Sequence, residues 1–423
     1  MLPEHTPLPD DDPRPALSRR AFVGAAGASL LAGGSVLGQT GAGGDARAIG
    51  RPDPSLGTPP PQPEGRQLGF AVVGLGKLAI GEVLDAFAAA RRAKLGALVS
   101  GNRDKALRVA AQYGVPQDAI YDYAGYDRIA GDPRIDVVYI ALPNALHAEY
   151  AIRAFRAGKH VLCEKPLATT IADCEAMIAA GRAAGRKLMT AYRCQFEPHN
   201  LAAMRLLRRG ELGDLRIVSA DIGRGTDLRD PADQWRLNRA LAGSGSLFDI
   251  GIYALNAARF LLNEEPVEVR AQLQADPADP RFREVEDVVV WQMRFPSGAL
   301  FHGSTSYSYA FSNAIRVVGT RGLIHIDPAI EYHATRLNVR AGGNDRVIQG
   351  SPIDQFAREI DHLCAAIQDN IPVVADGEEG MQDVRLMLAI LEAGRTGLPV
   401  RTDWGYRRTA DPATTVQDGQ GVA

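Results

Sequence analysis

From Phe70 onward the chain alternates short apolar runs with longer amphipathic stretches. Phe70-Ala71-Val72-Val73 is a four-residue apolar run of the kind that forms a buried parallel strand. The periodic segment from Ile80 to Ala90 reads as a helix. The same pair of signals then recurs. Strands are expected at Lys94–Val99, near Ala119–Tyr121, at Asp136–Ala141, at His160–Cys163 and at Lys187–Thr190. Helices are expected around Lys105–Tyr113, Tyr126–Gly131, Ala145–Ala157 and Ile171–Ala184. Repeated strand–helix units of this length predict a doubly wound parallel sheet, with ligands at the carboxyl ends of its strands.

Those ends carry the candidate chemistry. Gly74-Leu75-Gly76-Lys77-Leu78-Ala79 lies between the first strand and the first helix, a GxGxxA in the context of a dinucleotide loop. Gly74 permits the tight turn, Gly76 lets backbone approach a pyrophosphate, and Ala79 lets helix and strand pack closely. The helix start then offers free N–H groups to the phosphates. The second strand ends in Ser100-Gly101-Asn102-Arg103, with Lys105 just beyond, where an NAD site would carry an Asp or Glu. No carboxylate stands there to repel a 2′-phosphate, and Arg103 or Lys105 can supply positive charge, which favours NADP. The alternative is that Arg103 and Lys105 only solvate a helix start. Leu142-Pro143-Asn144 with His147, Glu164-Lys165-Pro166 and Tyr192-Arg193 fall at later strand ends and should converge on the same crevice.

Composition narrows the class. The 423 residues suit two domains, and 46% apolar content with mixed charge is globular. A net charge of −3 gives no nucleic-acid footprint and no anionic-membrane surface. Four cysteines, Cys163, Cys174, Cys194 and Cys364, fit no zinc spacing, so free buried thiols and no metal are expected.

The first fifty residues differ. Ser18-Arg19-Arg20-Ala21-Phe22-Val23, a short Ala/Gly-rich apolar stretch to Leu37, and Ala46-Arg47-Ala48 together read as a twin-arginine export signal over 1–48. That predicts an exported, periplasmic protein with no stable membrane anchor, since the apolar run is too short to span. A nicotinamide enzyme outside the cytoplasm has no pool to exchange with, so its cofactor must be held and regenerated in place. Residues 49–68 are proline-rich, a linker or an arm over a partner or the cofactor.

The phosphate loop, Leu142-Pro143-Asn144 with His147, and Glu164-Lys165-Pro166 resemble the Gfo/Idh/MocA oxidoreductases, most nearly their exported sugar–sugar (glucose–fructose) oxidoreductase branch. Gln234-Trp235-Arg236, Asp249-Ile250-Gly251-Ile252-Tyr253, Trp291–Phe295 and Thr402–Tyr406 extend the similarity from about Gly69 to Tyr406. The resemblance implies a Rossmann domain over 69–191 and an α+β domain over 192–408 with a large open, mostly antiparallel sheet that supports a homo-oligomer, dimer or tetramer. A flexible tail would follow over 409–423. It also implies tightly held NADP and a ping-pong cycle, in which an aldose such as glucose becomes a lactone and a second sugar, fructose or an aldose, becomes an alditol.

Within that reading Lys165 would orient the reacting oxygen, and Tyr253 would move its proton with a pKa lowered by Lys165. Asp249, four residues before Tyr253, would share its helix face and bind sugar hydroxyls, or else cap its helix. Tyr192, Arg193, Trp235 and Arg236 would complete the substrate side. Gly243-Ser244-Gly245-Ser246 reads as a flexible entry to the helix of Tyr253. Tyr307 and His302 lie in a strand-like stretch, Phe301–Tyr309, that sequence alone does not orient. Other readings are an exported dehydrogenase with exchangeable NAD(P), an NAD-dependent glycosidase on the same fold, and a non-catalytic binding protein. Tyr253 and Ser100 count against the glycosidase, and retention of both Lys165 and Tyr253 counts against the binding protein.

Overall fold

The computed structural model describes residues 66–350 and 352–416. The expected export signal over 1–48, most of the proline-rich stretch and the last seven residues lie outside that range.

The first sheet has six parallel strands: β1 (Leu68–Val73), β2 (Ala93–Val99), β3 (Ile120–Tyr121), β4 (Val137–Ile140), β5 (His160–Glu164) and β6 (Leu188–Ala191). Their order is β3-β2-β1-β4-β5-β6, the reversal of direction at β1/β4 that opens a crevice at the carboxyl ends. Every residue of β1 and β4 is buried, as a strand covered on both faces requires. The stretch expected as the end of the arm already belongs to this body. Leu68 starts β1, Gln67 donates to the Ala93 carbonyl at 3.1 Å, and Arg66 pairs with Asp136 at 2.6 Å.

The second sheet has nine strands: β7 (Leu215–Arg224), β8 (Glu268–Gln274), β9 (Val288–Arg294), β10 (Leu300–Ser306), β11 (Phe311–Gly319), β12 (Gly322–Ile326), β13 (Leu337–Ala341), β14 (Asn344–Ile348) and β15 (Val400–Arg401). Its order is β14-β13-β12-β11-β7-β10-β9-β8-β15. Only the β7–β10 pair is parallel, and the remaining pairs are antiparallel. Alternation along β9 buries Val289, Trp291 and Met293 and leaves Val290, Gln292 and Arg294 exposed. One face therefore packs on helices and the other stays open. The helices Ile252–Leu262 and Gly377–Thr396 belong to the covered side, and ten of the eleven residues of the first are buried (only Tyr253 is partly exposed).

Two local expectations change. Residues 409–416, expected as part of a flexible tail, pack down: Asp411 pairs with Arg208 at 2.6 Å, Thr409 donates to Asp376 at 2.8 Å, and Ala410, Ala413 and Val416 are buried. Apolar burial and an ion pair offset the ordering entropy there. The Gly243–Ser246 stretch is not flexible either. Ser244 Oγ donates to Glu286 at 2.7 Å, Gly245 N donates to the same carboxylate at 2.9 Å, and Ser246 Oγ donates to the Asp287 carbonyl at 2.7 Å. All four cysteines are buried and free. Among the described residues no helix is long and apolar enough to cross a membrane.

Candidate active site

The crevice begins at the loop after β1. Gly74 has φ +94°, and a Cβ there would lie 2.4 Å from the Ala141 carbonyl oxygen, so the turn requires glycine. Gly76 is the opposite case: a Cβ would meet nothing within 4 Å. Its open face is where a pyrophosphate can approach backbone. Ala79 is fully buried and opens a turn of π-helix, Ala79–Val83, which continues as the α-helix Leu84–Ala89. Lys105 Nζ donates to the Leu75 carbonyl at 3.2 Å and so braces the loop with a positive charge. Ser100 Oγ accepts from Asn102 N at 3.2 Å, and Asn102 caps the helix Arg103–Tyr113 through Lys105 N. Arg103 is exposed at the start of that helix. This set fits a dinucleotide: an open glycine at the pyrophosphate position, and a hydroxyl with cations at the ribose end.

Several residues expected on the cofactor side are buried and hydrogen-bonded within the protein. His147 is fully buried, with Nδ1 2.9 Å from the Pro166 carbonyl and Nε2 2.9 Å from the Leu142 carbonyl. It ties the chain after β4 to the chain after β5. Burial holds its pKa below the usual histidine range. Asn144 is buried and donates to the Ala242 carbonyl at 2.9 Å, joining the two domains. Glu164 accepts from the Tyr139 hydroxyl at 2.8 Å and from Lys165 N at 3.2 Å. Burial raises its pKa, with Lys165 the main opposing charge. Leu142 is buried, and Pro143 follows it into the short helical turn Asn144–Leu146.

Lys165 and Tyr253 come together. Lys165 Nζ donates to the Asp249 carbonyl at 2.5 Å, lies 3.4 Å from Asp249 Oδ1, and sits 4.7 Å from the centre of the Tyr253 ring. The helix-face expectation for Asp249 and Tyr253 needs amendment. Asp249 lies in a π-helical turn, Leu247–Gly251, that runs into the α-helix at Ile252. The Tyr253 pKa also moves opposite to expectation. Burial pushes the phenol above its usual range, and the charge that most opposes this is Arg193, not Lys165. The Arg193 guanidinium lies 4.8 Å from the Tyr253 ring centre and 4.5 Å from that of Tyr332. It is fixed by Gln355 at 2.8 Å and the Ile330 carbonyl at 2.7 Å.

Asp249 is an anchor for cations. Its Oδ2 accepts from Arg236 Nε at 3.0 Å and from the Tyr307 hydroxyl at 3.0 Å, and lies 3.4 Å from Arg224. Burial alone would raise its pKa, but Arg236, Lys165 and Arg224 hold it far below the usual carboxylate range. Arg236 also lies 4.5 Å from the Trp235 ring centre. Tyr192 does not join this group: it is buried, and its phenol pKa is raised by burial and by Asp383. Three site residues lay beyond sequence reasoning. Arg224 and Tyr307 close around Asp249, and Tyr332, exposed at the rim with its phenol pushed up to about 12 by desolvation, stacks on Arg193. His302 is exposed on β10.

Residues 68–192 match the GFO/IDH/MocA oxidoreductase family with its NAD-binding Rossmann fold, and residues 200–325 match the GFO/IDH/MocA C-terminal domain. D-xylose 1-dehydrogenase [NADP(+)] of Haloarcula marismortui is 32% identical over 337 residues, 79% of this chain and 93% of its own length. 1,5-anhydro-D-fructose reductase of Ensifer adhaerens is 32% identical over 321 residues, 74% of this chain and 93% of its own length. Among solved structures, aldose-aldose oxidoreductase from Caulobacter crescentus, complexed with glycerol, superposes with TM-score 0.77 at 46% identity, covering 79% of this chain and 100% of that one.

Proposed function

The chain belongs to the GFO/IDH/MocA oxidoreductases and acts on sugars with an NAD(P) cofactor, and from that premise we propose a sugar–sugar oxidoreductase that keeps NADP through turnover. One aldose is oxidised at C1 to its lactone, and a second sugar is then reduced to an alditol on the same site. The name of the 46%-identical aldose-aldose oxidoreductase supports an aldose in either half of the cycle. NADP rather than NAD is supported by Ser100 at the end of β2, with Lys105 pinned to the phosphate loop beside it. The export signal at 1–48 supports a periplasmic site of action and a resident cofactor. The open face of the second sheet supports a homo-oligomer.

The observation that carries the reading is Lys165, fixed by Asp249 at the carboxyl end of β5 and resting over Tyr253. The chemistry that a bound NADP supplies is acceptance of the hydride from C1 and its return to the second sugar. The chain's own residues handle the oxygen. The Lys165 ammonium stabilises negative charge growing on it, while Tyr253 as phenolate takes its proton in one half-reaction and the phenol so formed gives it back in the other. Asp249 keeps Lys165 aimed, and Arg236, Arg224 and Tyr307 keep Asp249 aimed. Trp235 and Tyr332 offer aromatic faces at the rim, suited to the C–H face of a sugar ring.

Lys165→Ala tests the assignment. The variant should purify with its nicotinamide and lose hydride transfer by at least about a hundredfold, as removal of an electrostatic stabiliser does. Retained activity would overturn Lys165 as the residue that serves the reacting oxygen.

A further inference from the structure

Lys77 is the exposed charged residue of the phosphate loop, directly after the open Gly76. It does not point freely into solvent. Its ammonium forms an ion pair with Asp230, 153 residues away in the chain segment that follows β7. That segment is held from the other side. Arg224 pairs with Asp233 at 2.8 Å, Asp227 N donates to Asp233 at 3.1 Å, and Arg236 reaches Asp249 at 3.0 Å. Asp230 itself is ordered by its second oxygen, which accepts from Ala232 N at 2.9 Å and caps the short helix Pro231–Gln234. One segment thus touches the phosphate loop at one end and the Lys165–Asp249 cluster at the other.

We infer that Asp230 is a cofactor-retention residue, which grips Lys77 and so latches segment 226–238 to the phosphate loop across the dinucleotide crevice. This inference rests on the reading of NADP as a resident group. An exposed ion pair adds little to folding stability, and the Lys77 side chain is 70% exposed. The effect is therefore on release. A dinucleotide seated on the Gly76 loop leaves when that loop and the substrate domain separate, and the Lys77–Asp230 pair must break for them to do so.

Asp230→Asn separates charge from structure, because the amide oxygen still accepts from Ala232 N. The test uses the full chain purified without added nucleotide. It follows loss of bound NADP after dilution, by protein-to-nicotinamide fluorescence for the reduced form, at low and high salt. Asp230→Asn should release NADP faster than wild type by about two- to fivefold, the range of a single exposed charge pair. Release from wild type should quicken with salt more steeply than release from the variant, since salt screens the Lys77–Asp230 pair only where that pair exists. In a double-mutant cycle, Lys77→Met should add nothing further through this pair. Release from Asp230→Asn at the wild-type rate, or more slowly, overturns the latch. If wild type itself purifies empty, the resident-cofactor reading falls and the latch is judged on the Kd for added NADP. A weaker Kd in Asp230→Asn supports it, and an equal one overturns it.

Discussion

At the residue scale, Tyr253 is decided by a contest between burial and charge. The phenol lies between Lys165 and Arg193, each within 5 Å of its ring centre, yet burial still raises its pKa above the usual range. It is therefore protonated at neutral pH. A protonated phenol is ready to give a proton to a sugar carbonyl, but must lose one before it can take the hydroxyl proton of an aldose. The two half-reactions should differ accordingly. Single-turnover oxidation of an aldose should keep rising between about pH 6 and 9, while reduction of the second sugar stays level over that range. Tyr253→Phe should remove the slope. A plateau in the oxidation rate near neutrality would mean that another group is the base. The phosphate loop was legible from sequence because its signal is local: Gly74 and Gly76 each answer to their own backbone. Arg224, Tyr307 and Tyr332 were not legible. They come from separate strands and loops, and their reach toward Asp249 or Arg193 depends on the register of a sheet that no local pattern sets.

At the scale of elements, the helix Ile252–Leu262 positions Tyr253 at its start and is anchored near its end by a buried charge network. Arg259 is fully buried and pairs with Glu265 at 2.8 Å, with Glu379 at 2.8 Å and with Asp383. Arg408 and Tyr406 add bonds to Glu379 at 2.8 and 2.7 Å. Burial would raise the Glu379 pKa, but Arg259 and Arg408 hold it down to about 2. Asp383 sits higher, raised by burial against the pull of Arg259. Removing Arg259 would leave two buried carboxylates without their main partner. Arg259→Met should therefore cost about 3–5 kcal/mol in denaturant unfolding, the scale for breaking one side of a buried pair. A loss below about 1 kcal/mol would show that the network carries little of the packing. Helix and strand periods announced the elements of the first sheet, because each buries a continuous apolar face, whereas the second sheet was implied only by the family resemblance. The π-helical turn at Leu247–Gly251 was not announced. It arises where Asp249 must meet Lys165, Arg236 and Tyr307 together, and that demand is tertiary.

At the scale of the whole molecule, the doubly wound first domain could be read from sequence because strand–helix alternation is itself a topology. The packing of 409–416 could not be, since Arg208 and Asp376, its partners, lie far back in the chain. The parallel sheet brings the loops after β1, β2, β4 and β5 to one crevice, and the second sheet and its helices supply Asp249, Tyr253 and their supports. The central claim is that this crevice holds NADP as a resident group and passes a hydride from one sugar to another. The direct measurement is the absorbance of the full chain, purified without nucleotide, before and after glucose and then a second sugar. A bound nicotinamide is expected, reduced by glucose once per protein chain, with the reduced band abolished by the second sugar. An empty protein that turns over only with added NADP would contradict it.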